Sequence, residues 1–314
     1  MSLGKRKIRP AAIVGIVLII AVVYAAFVIL EKFIDFAKEP LPEESNNVVQ
    51  ADDKKDKDAG ENDIGNPDSS EETEIPQISE QIPTIAVDAL KPVYTQEELL
   101  SMYPDTVLCS TVDAGEDYID RIYFVGDSTT NGIKHYGVLK DGKNTNRVWT
   151  PRSGTLAMWN LLSEKVVIPD DDSEMTIPEA ADFKKPDIIV FTLGVNGVSI
   201  CTKEQFVGYY EDLIDEVLEK SPDTDIILQS IYPVCSDYEY VDSISMEKIN
   251  RANSWIAELA SEKGCYYLNT SSVLVNETGY LTPSYSNGDG IHISPEGFSV
   301  IFDYIRKHAI EKYV

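Results

Sequence analysis

Three short stretches of the chain carry side chains that can do chemistry together. The apolar run Ile122-Tyr123-Phe124-Val125 stops at Gly126-Asp127-Ser128, and a helical pattern follows from about Thr129 to Tyr136. A serine at such a strand-to-helix turn projects its hydroxyl above the carboxyl end of a parallel sheet. Its own N–H then points at whatever carbonyl approaches. The bland reading of the same residues is a helix cap, for which Asp and Ser are favoured. The second stretch is Gly288-Asp289-Gly290-Ile291-His292, which sets a carboxylate and an imidazole three residues apart. It lies just before a helix that Ser294 caps and Pro295 opens.

A serine hydroxyl is a poor nucleophile until an imidazole accepts its proton, and the imidazole needs a partner that fixes its tautomer. Ser128, His292 and Asp289 could supply those three roles. The chain has only three histidines, which narrows the choice of base. His308 falls near the end of the last helix, where a cation suits the dipole. His135 is expected to face solvent or to pack. The third stretch is the strand-like Asp187-Ile188-Ile189-Val190-Phe191-Thr192-Leu193, running into Gly194-Val195-Asn196-Gly197. Asn196 at the mouth of that strand can aim its amide N–H at a developing oxyanion. Asn-Gly on its own also marks a plain turn.

The elements that must hold these groups are legible as an alternation of strands and helices. Thr95-Gln96-Glu97-Glu98 is a capping box that opens a short helix to about Tyr103. Arg147-Val148-Trp149 reads as a second strand and Leu156 to Leu162 as a helix. Val166 to Phe183 reads as loop with a short helical piece; its Asp170-Asp171-Asp172 run lacks the spaced ligands of a calcium loop and suits a solvated turn. Thr202-Lys203-Glu204-Gln205 caps an amphipathic helix carrying Phe206, Tyr210, Leu213, Ile214 and Val217 at helical spacing. A strand from Asp225 to Tyr232 follows, then a helix from about Ser245 to Lys263 that stops at Gly264. Cys265 to Leu268 is the last strand, and Ser294 to about Ile310 the closing helix. Such alternation implies a parallel sheet covered on both faces, with the site at the carboxyl ends of its strands.

The three stretches, in this order, resemble the SGNH (GDSL-type) hydrolases, serine esterases and acyl-transferring enzymes on a flavodoxin-like three-layer α/β/α fold. Gly126-Asp127-Ser128 is similar to the family's first block, which makes Ser128 the nucleophile and its N–H an oxyanion donor. Gly154, in Pro151-Arg152-Ser153-Gly154, is similar to the second-block glycine, whose N–H is another donor. Gly194-Val195-Asn196-Gly197 resembles the third block, with Asn196 as the third donor. Asp289-Gly290-Ile291-His292 resembles the fifth. The likeness covers roughly residues 118 to 314 and implies no metal or organic cofactor. One position departs, because Gly197 stands where the family has an aspartate that supports the loop.

The amino-terminal part is different in kind. Residues 1–10 carry Lys5, Arg6, Lys7 and Arg9 and no acidic group, and residues 11–30 carry no charge at all. Twenty such residues span roughly 30 Å as a helix, the thickness of a hydrocarbon core. The expectation is an uncleaved transmembrane anchor, with a cleaved signal peptide as the rival. The basic flank stays cytoplasmic, which puts the rest outside the cell. Residues 31–90 hold 17 acidic and 5 basic side chains and no apolar periodicity. They read as a disordered acidic linker, a tether that reaches away from the bilayer.

The whole chain has 53 acidic and 27 basic residues, a net charge of −26. Setting aside +4 in residues 1–10 and −12 in the linker leaves −18 for residues 91–314. That argues against nucleic acid, which needs a basic face. The four cysteines, Cys109, Cys201, Cys235 and Cys265, show no metal-ligand spacing. Cys201 and Cys235 each follow a strand and could pair; four free thiols is the alternative.

The expected activity is that of an extracytoplasmic serine esterase cleaving O-acyl, chiefly acetyl, esters through an acyl-serine. Activity is expected to fall as pH drops below a value near the ordinary imidazole figure of about 6.5. Tyr238, Tyr240, Tyr280 and Tyr285 fall in loops at the rim, and Trp149 and Trp159 flank the Gly154 region. Aromatic faces there suit sugar rings, hence a cell-envelope glycan as substrate, although simple packing explains each one as well. The rival readings are an O-acyltransferase working with a membrane partner, a lipase or lysophospholipase, and a wall-binding module without chemistry.

Overall fold

The structure is a computed structural model and describes residues 90–314. The expected basic segment 1–10, anchor 11–30 and nearly all of the linker 31–90 lie outside the described residues. Among the described residues no helix is long and apolar enough to cross a membrane.

Five strands make one wholly parallel sheet. They are β1 (Ile122–Gly126), β2 (Val148–Trp149), β5 (Ile188–Thr192), β6 (Asp225–Gln229) and β7 (Tyr266–Leu268), in the spatial order β2-β1-β5-β6-β7. Phe124 stands opposite Val148 and Val190, and Leu228 opposite Tyr267. Residues alternate between the two faces of a strand. Tyr123, Val125, Ile189 and Phe191 therefore enter one buried cluster, and Ile122, Phe124, Ile188 and Val190 the other.

The first face is covered by α5 (Lys203–Lys220) and α6 (Met246–Lys263), through Phe206, Tyr210, Leu213, Ile249 and Ile256. The second is covered by α3 (Ser128–Tyr136) and α7 (Pro295–Arg306), through Ile133, Phe298, Ile301 and Phe302. Both faces of a parallel sheet must be covered in this way, which is why its strands are almost continuously apolar. Three further α-helices lie among the described residues: α1 (Gln96–Met102), α2 (Gly115–Ile119) and α4 (Ile177–Lys184). The capping boxes at Thr95 and Thr202 are both formed as the sequence indicates.

Among the sheet's own strands the order is 2-1-3-4-5, the doubly wound arrangement in which chain direction across the sheet reverses beside β1. Crevices in such sheets open at the carboxyl ends of the strands flanking that reversal. Ser128 follows β1 and Asn196 follows β5, the two strands at that point. Gly126 makes the turn between β1 and α3 possible. A Cβ there would collide with Thr130 Oγ1 and lie 2.5 Å from the Thr192 carbonyl oxygen.

Several local expectations are corrected. Val166 to Phe183 is not mainly loop: it holds an antiparallel hairpin, β3 (Lys165–Ile168) with β4 (Ser173–Thr176), and then α4. The aspartates bend the chain between the two strands, with Asp171 accepting from the Ser173 N–H and hydroxyl. Asp170 is held by Lys184 and Asn146. Leu156 to Leu162 is no helix beyond a single 3₁₀ turn at Met158–Asn160, because Leu156, Met158 and Leu161 are buried at a spacing no helical face presents. The strand expected to reach Tyr232 ends at Gln229, and the closing helix ends at Arg306. No disulfide links the four cysteines; Cys235 and Cys265 are buried, and Cys109 is exposed.

Candidate active site

Ser128 is the first residue of α3, where a helix leaves its N–H groups without partners inside the helix. Its hydroxyl oxygen lies 2.9 Å from His292 Nε2. On the other side of the ring, Nδ1 lies 2.6 Å from Asp289 Oδ2. The remaining carboxylate oxygen, Oδ1, accepts the backbone N–H groups of Ile291 and His292, each at 2.9 Å. One aspartate thus orients the imidazole and folds the loop that carries it. Ser286 Oγ accepts the N–H groups of Gly288 and Gly290, and Asn287 Oδ1 accepts that of Asp289. The loop is tied to the core by the Cys235 N–H, donated to the Gly290 carbonyl at 2.8 Å.

The charges around the relay follow from these contacts. Burial pushes the Asp289 carboxyl up, but the hydrogen bond from the His292 ring, its charge and the two backbone N–H groups outweigh it. The net result is a carboxylate held down to about 2. Asp127, one residue before Ser128, goes the other way. Burial pushes it up to about 6, against the opposing pull of the Thr129 hydroxyl and N–H and of the His292 charge.

Asn196 sits in the turn after β5, where the N–H groups of Gly197 and Val198 both return to the Gly194 carbonyl. One of its two amide hydrogens goes to the Leu156 carbonyl at 3.1 Å, which fixes the amide and leaves the second for a ligand. Gly197, lacking the family's aspartate, is explained by its neighbour. A Cβ at 197 would collide with Met158 Cγ, so the buried Met158 side chain supports the loop from outside instead.

Gly154 is differently placed from Ser128 and Asn196, the other two residues expected to donate. Its N–H closes a turn onto the Pro151 carbonyl at 2.8 Å, and it would reach a substrate only by sharing or leaving that bond. The turn is held from two sides. Arg152 bonds Glu174 at 2.5 Å and Asp172 at 3.2 Å, so the hairpin β3–β4 anchors it. Asn131 Oδ1 accepts from Thr150 Oγ1 at 3.3 Å, and its Nδ2 lies 3.7 Å from where a Gly154 Cβ would be. Asn131 did not stand out in the sequence, although it lies three residues beyond Ser128 and so on the same helix face.

The other candidates separate cleanly. His135 is exposed and packs edge-on against Tyr136, and His308 stacks on Tyr304 at 3.8 Å. Burial pushes His308 down from the ordinary imidazole value, against the opposing pull of its hydrogen bond to the Tyr304 carbonyl. Trp149 is not at the rim: it is fully buried, 4.6 Å from the Tyr123 ring. Trp159 and Tyr240 are exposed, and Tyr238 packs between Tyr240 and Gly290. No cluster of metal-ligating side chains occurs among the described residues.

A hydroxyl, an imidazole and a carboxylate in series at the mouth of a doubly wound parallel sheet form an arrangement suited to nucleophilic acyl transfer. The chain belongs to the GDSL-like lipase/acylhydrolase family, whose pattern it matches over residues 124–300. Family membership makes it an acylhydrolase-type protein acting on esters.

Solved structures similar to the chain include a Streptococcus pneumoniae protein described as a candidate platelet activating factor. It is 20% identical over 67% of this chain and 90% of that one, with a TM-score of 0.44. A candidate acylhydrolase from Bacteroides fragilis is 17% identical over 62% and 88%, with a TM-score of 0.44. A GDSL-like lipase from Bacteroides thetaiotaomicron is 18% identical over 70% and 98%, with a TM-score of 0.42. No curated protein matches the chain.

Proposed function

We propose that the chain is a serine esterase that removes short acyl groups, chiefly acetyl, from hydroxyls of an envelope carbohydrate on the outer side of the membrane. The observation that carries the chemistry is the unbroken series from Ser128 Oγ through His292 to Asp289. As Ser128 Oγ bonds to the ester carbonyl carbon, its proton passes to His292 Nε2 and the carbonyl π pair becomes an oxyanion. The Ser128 N–H and the second Asn196 amide hydrogen stabilise that charge, joined by Gly154 where its turn opens. Collapse expels the alcohol, which takes the proton from His292. Water then attacks the acyl-serine with His292 again as base, releasing the carboxylic acid.

The outer location is supported by the uncharged residues 11–30 and their basic flank. The carbohydrate is supported by the exposed Trp159 and Tyr240 faces. A fluorophosphonate probe is expected to label Ser128, and acetyl esters to turn over faster than butyryl or longer ones. An unlabelled Ser128 in folded protein removes the proposal, and faster turnover of long-chain esters redirects it to lipids. Asn196→Ala is expected to lower kcat about 10²–10³-fold with KM little changed, since an oxyanion donor acts mainly in the transition state. Steady-state kinetics on 4-nitrophenyl acetate measure this.

A further inference from the structure

The segment that carries Gly154 hangs between two anchors of different kinds. On its outer side Arg152 reaches Glu174 and Asp172; all three side chains are exposed, and such ion pairs hold a loop only weakly. On its inner side stands Thr150, 7% exposed and next to Pro151, whose carbonyl closes the Gly154 turn. The Thr150 carbonyl accepts the Val167 N–H of β3 at 3.0 Å, which ties its backbone to the hairpin. Its hydroxyl goes the other way, to Asn131 Oδ1 on α3 at 3.3 Å. With Oδ1 held there, Asn131 Nδ2 lies 3.7 Å from the position a Gly154 Cβ would take. One side chain thus meets both ends of the segment 150–154. That side chain belongs to the helix that begins at Ser128, one turn further along the same face.

We propose that Asn131 is a positioning residue for acyl transfer: by gripping Thr150 and bordering Gly154, it sets how far the Gly154 N–H stands from Ser128, where the oxyanion forms. The inference rests on the serine-esterase reading above. Asn131 exchanges no proton and touches no reacting atom; it acts through Thr150 on the turn that follows. Without it, the segment 150–154 is fastened to the hairpin alone and no longer to the helix of Ser128. Its effect belongs to the transition state, because the placement of a donor counts most once charge has developed on the carbonyl oxygen.

In the full chain, Asn131→Ala is expected to lower kcat on 4-nitrophenyl acetate about tenfold with KM little changed, the rate effect of roughly one hydrogen bond. Its Tm is expected to drop by no more than roughly 4 °C. Thr150→Val cuts the same bond from the other end, leaves α3 untouched and is expected to lower kcat as far. Thr150→Ser keeps the hydroxyl and is expected to stay within about twofold of wild type. The double variant Asn131→Ala, Thr150→Val falls no further than either single one, since both act through one bond. A wild-type kcat in Asn131→Ala, a loss there that Thr150→Val does not share, losses that multiply in the double variant, or a raised KM at unchanged kcat each overturns the proposal. Ser128→Ala measured alongside separates the two readings. If it stays active, the serine mechanism fails and this inference with it; if it is dead while Asn131→Ala behaves as wild type, only the present inference fails.

Discussion

Ser128→Ala is expected to lower hydrolysis of 4-nitrophenyl acetate by about 10⁵–10⁶-fold and to leave the fold intact. The size follows from the way the relay works. Without the hydroxyl no acyl-enzyme can form, and only binding and the oxyanion donors remain to assist water. The small structural cost follows from the surroundings. The Ser128 hydroxyl bonds His292 Nε2, while α3 is capped by Asp127 and not by Ser128. Losing one such hydrogen bond costs about 1 kcal/mol, which lowers Tm by roughly 2–4 °C in a domain of this size. Steady-state kinetics paired with a thermal melt test both halves. A variant that melts normally and still turns over within tenfold of wild type would remove Ser128 from the nucleophile's role.

Much of the frame was legible because it is written in local signals. The capping boxes at Thr95 and Thr202, the Gly264 stop and the run of apolar residues in β1 and β5 each depend on neighbours in sequence. The relay was legible too, since Asp289 and His292 sit three apart and one hydrogen-bonded loop brings both to Ser128. What escaped depends on distant partners. The hairpin β3–β4 is short and hides behind an aspartate run that resembles ordinary loop. Arg152, reaching from another loop to Glu174 and Asp172, ties the hairpin to the turn carrying Gly154. Trp149 resembles a rim aromatic in sequence, yet it lies on the sheet face that also carries Tyr123 and is buried. The state of the Gly154 N–H is a matter of turn geometry, which no residue type announces. Asp127 was legible as a cap, but its burial arises from β5 and the residues after β6, more than sixty positions away.

These misses share a consequence for the site. The two segments read best, around Ser128 and His292, carry the hydrogen-bonded series from Ser128 to Asp289. The segments read least well, around Gly154 and Met158, decide how the proposed oxyanion donors are placed. Met158 in the space of the family's missing aspartate ties the Asn196 loop to the Gly154 loop by packing. Donor placement therefore depends on a flexible thioether, a softer support than a hydrogen-bonded carboxylate. The Ser128–His292–Asp289 series is held by hydrogen bonds, whereas the Asn196 loop leans on the packing of Met158.

Asp289→Asn is the second change expected to have a large effect, a fall in kcat of about 10⁴-fold with KM little altered. The reason is directional. The asparagine carbonyl oxygen can take the place of Oδ1 and keep accepting the Ile291 and His292 N–H groups, so the loop survives. Its amide nitrogen then faces His292 Nδ1, where Oδ2 stood 2.6 Å away. A donor facing Nδ1 drives the ring hydrogen to Nε2, and that nitrogen can no longer accept the Ser128 proton. The pH dependence separates this from a general weakening of the site. Asp289 is held at about 2, below its ordinary 3.8, so the stability it lends is present above about 3.8 and is lost only as pH falls through about 2. Asp289 is therefore ionised throughout pH 5–8, and the Tm gap between wild type and Asp289→Asn is expected to stay flat across that range. A gap that closes between pH 8 and pH 5 would mean that Asp289 titrates there, and a kcat within tenfold of wild type would mean that the imidazole finds its tautomer without it.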